Sequence, residues 1–158
     1  MKITFLLLTI GSLLLSGCKT NYAVSSDYTH EIECMGSEPD GSINLQTWSK
    51  GKSPAIALAR AEKNVIKEVL FKGIRDGQPG CDIRPILNTP NIRESEAEYF
   101  NSFFRDGGTY EKFVTGKKSS FENKDRSNGK GDDILYGFVI RVLKSDLTKQ
   151  MIKDGLLK

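Results

Sequence analysis

Few side chains in this sequence could do chemistry. There are three cysteines, Cys18, Cys34 and Cys81, and a single histidine, His30. A Ser-His-Asp or Cys-His site would have to use that histidine. No Gly-x-Ser-x-Gly elbow is present to offer a serine. A metal centre would need Cys34, Cys81, His30 and Asp82 to converge, and no Cys-x-x-Cys pair exists to start one. The run Asp125 to Asp133 resembles a calcium loop only in composition. Counted from Asp125, Lys130 and Tyr136 stand where an EF-hand needs glycine and a bidentate glutamate. Glu94, Glu96 and Glu98 fall at a helix start, where carboxylates complement the macrodipole. Nothing in their spacing marks a hydrolytic pair. The reading is of a protein that is not an enzyme and has no catalytic residues, no metal and no cofactor.

Two features are suited to binding. The first is an aromatic set: Tyr99, Phe100, Phe103, Phe104, Tyr110 and Phe113. Either these rings pack as core under a helix, or part of them lines an apolar groove for a partner or ligand. The second is the polar stretch 117–133, read as an exposed hairpin loop. It is either solvated linker or a recognition loop.

Cys18 has a different setting from the other two cysteines. One charge, Lys2, precedes an apolar run from Ile3 to Leu15, and then come Ser16, Gly17 and Cys18. A charged start, a short apolar core and a small-residue cleavage site make an export signal. The run falls short of the roughly 20 residues that a membrane-spanning helix needs. Leu15-Ser16-Gly17-Cys18 resembles the lipobox of bacterial lipoproteins. That resemblance implies cleavage of residues 1–17 and acylation of Cys18, so the membrane is a partner through lipid. Two or three acyl chains suffice for stable anchoring. Lys19 is not the aspartate that the family associates with inner-membrane retention in enteric bacteria. The resemblance therefore implies the cell envelope, at the outer membrane.

Residues 18–27 read as a polar tether and residues 28–158 as one domain. The formal net charge of the whole chain is +3, with 23 basic and 20 acidic residues interspersed. This near balance gives no electrostatic case for nucleic acid. With Cys18 acylated, Cys34 and Cys81 remain. In an oxidising compartment they form a disulfide closing about 47 residues, worth roughly 3–4 kcal/mol by chain entropy. The alternative is two separate buried thiols. Each cysteine sits beside a turn signal, which favours the bridge.

The elements that position these groups follow from period and punctuation. Tyr28 to Met35 alternates, with His30, Ile32 and Cys34 on one side. Gly36 to Gly41 is turn, and Ser42 to Ser49 alternates again, so the two runs form a hairpin. Ser53 and Pro54 start a long amphipathic helix with Ile56, Leu58, Ala59, Val65, Ile66, Val69, Leu70 and Ile74 on its apolar stripe. Arg60, Lys63, Lys67 and Lys72 line the polar face, and Gly73 ends the helix. The stripe is core packing, or less simply a membrane-surface helix. Residues 76–90 are loop. A second helix runs from Asn91 or Arg93 to Arg105. Thr109 to Thr115 reads as a strand, and Ile134 to Leu143 as the central strand. Ser145 caps a last helix carrying Leu147, Met151 and Ile152. The order β-β-α-α-β-β-α gives an α+β fold with an antiparallel sheet and helices on one face.

The alanine-spaced helix ALARAEKNVIKEVL after a hairpin looks like small exported domains of the LPP20 and flagellar-assembly lipoprotein type. The end Phe71-Lys72-Gly73-Ile74 is similar to that of certain Bacteroidetes lipoproteins. The likeness spans about residues 28–75 and implies a non-enzymatic envelope protein. The expectation is a lipid-anchored envelope protein that binds or scaffolds another envelope component, with an envelope protein as partner. The alternatives are a small periplasmic ligand carrier using an aromatic groove, or a cell-wall hydrolase.

Overall fold

The computed structural model describes residues 31–79, 81–123 and 134–157; of 117–123 only the backbone is described. The expected signal, Cys18, the expected tether, His30 and the stretch 124–133 lie outside the described residues. The elements are β1 (Ile32–Ser37), β2 (Ile43–Gly51), α1 (Pro54–Phe71), α2 (Ile92–Ser95), α3 (Ala97–Phe103), a 3-10 helix (Thr109–Phe113), β3 (Val114–Asn123), β4 (Ile134–Val142) and α4 (Lys144–Lys153). The fold is α+β, with one antiparallel sheet in the order β1-β2-β4-β3.

Alternation in β2 and β4 decides which way the sheet faces. Their pairing runs unbroken from Ile43 opposite Val142 to Gly51 opposite Ile134. Ile43, Leu45 and Thr47 of β2 and Tyr136, Phe138, Ile140 and Val142 of β4 share the buried face. β4 is central, as the run of apolar residues requires. α1 packs over β2 and β4. It starts as its sequence demands: Ser53 accepts from the Ile56 N–H at 3.4 Å, and Pro54 opens the helix. Gly73, at φ +77°, takes the left-handed turn after it.

The buried stripe of α1 is Ala57, Ala61, Val65, Ile66, Val69 and Leu70, with Glu62 also buried. Ile56, expected inside, is 44% exposed; Ala59 is exposed and Leu58 only half-buried. The cause is the closeness of helix to sheet. A Cβ on Gly51 would lie 2.7 Å from the backbone N of Ala57. Only small side chains fit there, so size outranked hydrophobicity at the helix start.

Four further expectations are corrected. Thr109–Phe113 is a 3-10 helix, and the strand begins only at Val114. A strand would turn Tyr110 and Phe113 to opposite faces. The threefold turn puts both inside, at 1% and 6% exposure. The stretch from residue 117 is strand as far as Asn123, because its backbone pairs with apolar β4 from Lys118 to Asn123. A polar strand suits a sheet edge, and tertiary pairing overrode weak β propensity. The second helix is broken at Glu96 into α2 and α3, with Glu94 and Glu98 each in a first turn. Finally, α4 begins at Lys144, before Ser145, whose hydroxyl donates at 3.5 Å to the Gly41 carbonyl. Leu147 and Met151 of α4 are buried, whereas Ile152 is 53% exposed.

The loop after α1 is tied down at several points. Ile74 and Ile83 exchange backbone hydrogen bonds of 2.8 and 2.9 Å. The amides of Ile86 and Leu87 donate to the Val69 and Leu70 carbonyls at 3.1 and 2.8 Å. Cys34 and Cys81 are joined as a disulfide, with Cα atoms 5.7 Å apart.

Candidate functional site

The six aromatic residues singled out by sequence come together. Phe100, Phe103, Tyr110 and Phe113 are buried, and Tyr99 and Phe104 pack against them. The rings form a chain: Phe104 to Tyr110 at 5.9 Å, Phe103 to Phe104 at 5.0 Å and Phe103 to Phe113 at 6.2 Å between centroids. Phe71, from the last turn of α1, joins them edge-on at 5.0 Å from Phe100. These offset and edge-to-face arrangements each add about 1 kcal/mol beyond area burial. The cluster therefore fills the space between α1 and the sheet end. The Tyr99 hydroxyl, 2.5 Å from an Asp154 carboxylate oxygen, ties α3 to the end of α4. Burial first, and then that carboxylate, pushes the Tyr99 phenol far above its ordinary value.

Cations lie over these rings. Lys63, Lys67 and Phe71 are spaced by four on α1 and so share one ridge. The Lys63 ammonium lies 5.6 Å from the centre of Tyr110, and the Lys67 ammonium 5.5 Å from the centre of Phe104. Arg93, from α2, places its guanidinium carbon 5.2 Å from the centre of Phe71. Each cation thus sits over the electron-rich face of a ring, a contact worth roughly 0.5–1 kcal/mol at an exposed site. Lys63 also bonds Asp106 at 3.0 Å, an ion pair whose acid is 99% exposed and which contributes little. Among the described residues Lys67 and Arg93 form no ion pair. Burial, helped by the neighbouring charges of Lys63 and Arg93, pulls the Lys67 ammonium below its usual pKa. Burial raises the Tyr110 phenol, as do the nearby Glu111, Glu62 and Asp106 carboxylates.

The sequence supplied the rings and the basic helix face as separate features, and the structure superposes them. Arg93 and Phe71 had no place in either, since a contact across 22 positions in the chain leaves no local period. Two open hollows flank Asp82 and Ile83. One is lined by Gly41, Lys144 and Ser145, the other by Lys72, Arg75 and Arg84, and neither reaches the rings. Among the described residues no group of three His, Cys, Asp or Glu side chains could hold a metal. No described helix is long and apolar enough to cross a membrane. Compared with protein-family models, with curated proteins and with solved structures, the chain matches none.

Proposed function

We propose that the chain is a lipid-anchored, non-catalytic protein of the cell envelope, at the outer membrane, that binds or scaffolds another envelope component through the cation-covered aromatic surface. The observation that carries this reading is the filled ring cluster with Lys63, Lys67 and Arg93 above it. The half-buried rings of Phe71, Tyr99 and Phe104, backed by the buried ones, offer a firm, partly apolar surface instead of a cavity. That favours a partner laid on the outside over a small molecule held within. The Cys34–Cys81 bridge supports an oxidising compartment. The lipobox residues Leu15 to Cys18 support the anchor.

Two measurements test it. Intact mass spectrometry of the protein extracted from membranes should find residues 18–158 carrying acyl chains, and Cys18→Ala should release the chain from the membrane. Retention of the variant on the membrane after export would overturn the anchor. A photo-crosslinker at Arg93 should capture an envelope protein in living cells, while one at Lys149, on α4, should not. Equal capture from both positions, or from neither, would overturn the binding surface.

A further inference from the structure

We infer that the shelf made by Lys63, Lys67 and Arg93 over Tyr110, Phe104 and Phe71 is a binding site for a phosphate-type oxyanion. The inference rests on reading this patch as the binding surface and names the chemistry that it would hold.

Several neighbouring carboxylates are engaged elsewhere. Glu68 follows Lys67 in the chain, yet its carboxylate pairs with Lys72 at 2.8 Å. Glu111 accepts the Gly107 N–H at 3.0 Å. Asp106 serves Lys63. Glu94 stands beside Arg93 in the sequence but is exposed and makes no ion pair among the described residues. Three cations are thus gathered on one ridge and its flank, and among the described residues one of them, Lys63, has an ion-pair partner.

The surroundings sharpen the need for a further anion. Lys67 is half-buried and lies on a hydrocarbon ring, where water screens charge less well. The neighbouring charges of Lys63 and Arg93 repel it. An anion seated between Lys67 and Arg93 would turn that repulsion into attraction. A carboxylate offers two oxygens and one charge. A phosphate group offers three oxygens and up to two charges, so it suits the planar fork of Arg93 and an ammonium group at once. Such a group is carried by a free phosphorylated small molecule or by a lipid headgroup. The ring faces below suit either, because they exclude water without competing for the anion.

The test reads Lys67 itself. The full chain, in a non-ionic detergent, is labelled with trace acetic anhydride, and acetylation of each lysine is measured by mass spectrometry. Only the unprotonated amine reacts. An anion bound within about 5 Å raises the lysine pKa by about one unit, so acetylation of Lys67 should fall about tenfold. Pyrophosphate is the first probe. Bicelles of phosphatidic acid, whose headgroup is a phosphomonoester, set against phosphatidylcholine, are the second. Protection by pyrophosphate assigns a soluble phosphorylated ligand. Protection by phosphatidic acid alone assigns a headgroup. In either case Lys149 should keep its reactivity, and Arg93→Gln should remove most of the protection.

Equal protection by sodium chloride of matched ionic strength, or of Lys67 and Lys149 alike, would overturn the site. So would protection by neither probe. If neither probe protects Lys67 while the crosslinker at Arg93 still captures an envelope protein, the oxyanion is wrong and the surface reading stands. If the probes protect and the crosslinker captures nothing, the reverse holds.

Discussion

The sheet has two edges, and the protein treats them differently. At β1 the edge is closed. The Cys34 N–H donates to the Asp76 carbonyl at 2.9 Å, and the Gln78 N–H donates to the Cys34 carbonyl at 2.9 Å. Gly77 lies parallel against Cys34, and the bridge to Cys81 locks the same loop in place. At β3 the pairing with β4 shifts twice, between Thr115 and Lys118 and again between Ser119 and Phe121. Bulges of this kind twist an edge and spoil it as a template for another strand. Both edge strands carry shifts, one in β1 between Cys34 and Gly36 and two in β3, but among the described residues only the β1 edge is bonded to a loop of its own chain under a covalent lock. An irregular loop carries unpaired backbone groups and a high ordering cost. The disulfide and the backbone bonds to β1 offset that cost for the loop at Asp76 to Cys81.

The comparison can be broken at its strongest point first. Replacing Cys34 and Cys81 by serine should lower unfolding stability by roughly 3–4 kcal/mol. Chemical denaturation of the oxidised wild type against the double variant measures this. A loss under 1 kcal/mol would mean that the backbone bonds alone hold the β1 edge.

The next largest effect should come from Gly77. At φ +130°, a Cβ there would stand 2.2 Å from the Cys34 carbonyl oxygen and 2.5 Å from its N. Gly77→Ala should destabilise by roughly 2–3 kcal/mol, from a glycine-only backbone conformation and a clash with backbone that cannot yield. It should also speed amide exchange at Cys34. The matching change at the other edge is Gly116→Ala. Gly116 has φ +59°, but its Cβ would meet only the Arg141 side chain, at 3.4 Å. The expected loss is about 1 kcal/mol, the cost of a left-handed alanine. Equal losses at the two glycines would erase the contrast between the edges.

The smallest effect lies at the turn that joins β1 to β2. Asp40 accepts from the Ser42 hydroxyl at 2.6 Å and from Arg141 at 2.6 Å, which ties the turn to β4. The Ser42 hydrogen bonds chiefly, and Arg141 after them, hold the Asp40 carboxyl below its ordinary range. A carboxyl depressed on folding stabilises the protein above its unfolded pKa of about 3.9 and loses that contribution as pH falls through the folded value. Asp40→Asn should therefore flatten the decline in urea midpoint between pH 5 and pH 3. An unchanged slope would mean that Asp40 is not a source of acid sensitivity.

Legibility followed the range of the contacts. The Ser53–Pro54 start of α1, the alternation of β2 and the apolar run of β4 are written in neighbouring residues, and the structure follows them. Thr109 to Thr115 alternates like a strand, and only the packing of Tyr110 and Phe113 on one side shows a 3-10 turn. β3 beyond Thr115 carries no local signal because its reason to exist is β4, eleven or more positions later in the chain. The site was half legible. Its rings and two of its cations were visible as separate features, while Arg93 and Phe71 became part of it only through folding.

By itself the sequence determined the α+β order, the capped helix, the cysteine pair as a candidate bridge, and the lack of a catalytic motif. Period, capping and turn chemistry act within a few residues, so they can be read along the chain. The tertiary structure alone decided that the aromatic set packs as core, that Lys63, Lys67 and Arg93 lie over its rings, and that a covalent lock stands at the β1 edge. Those outcomes depend on which distant surfaces touch and how closely. Volume and charge must balance there in three dimensions, and no local pattern records that balance.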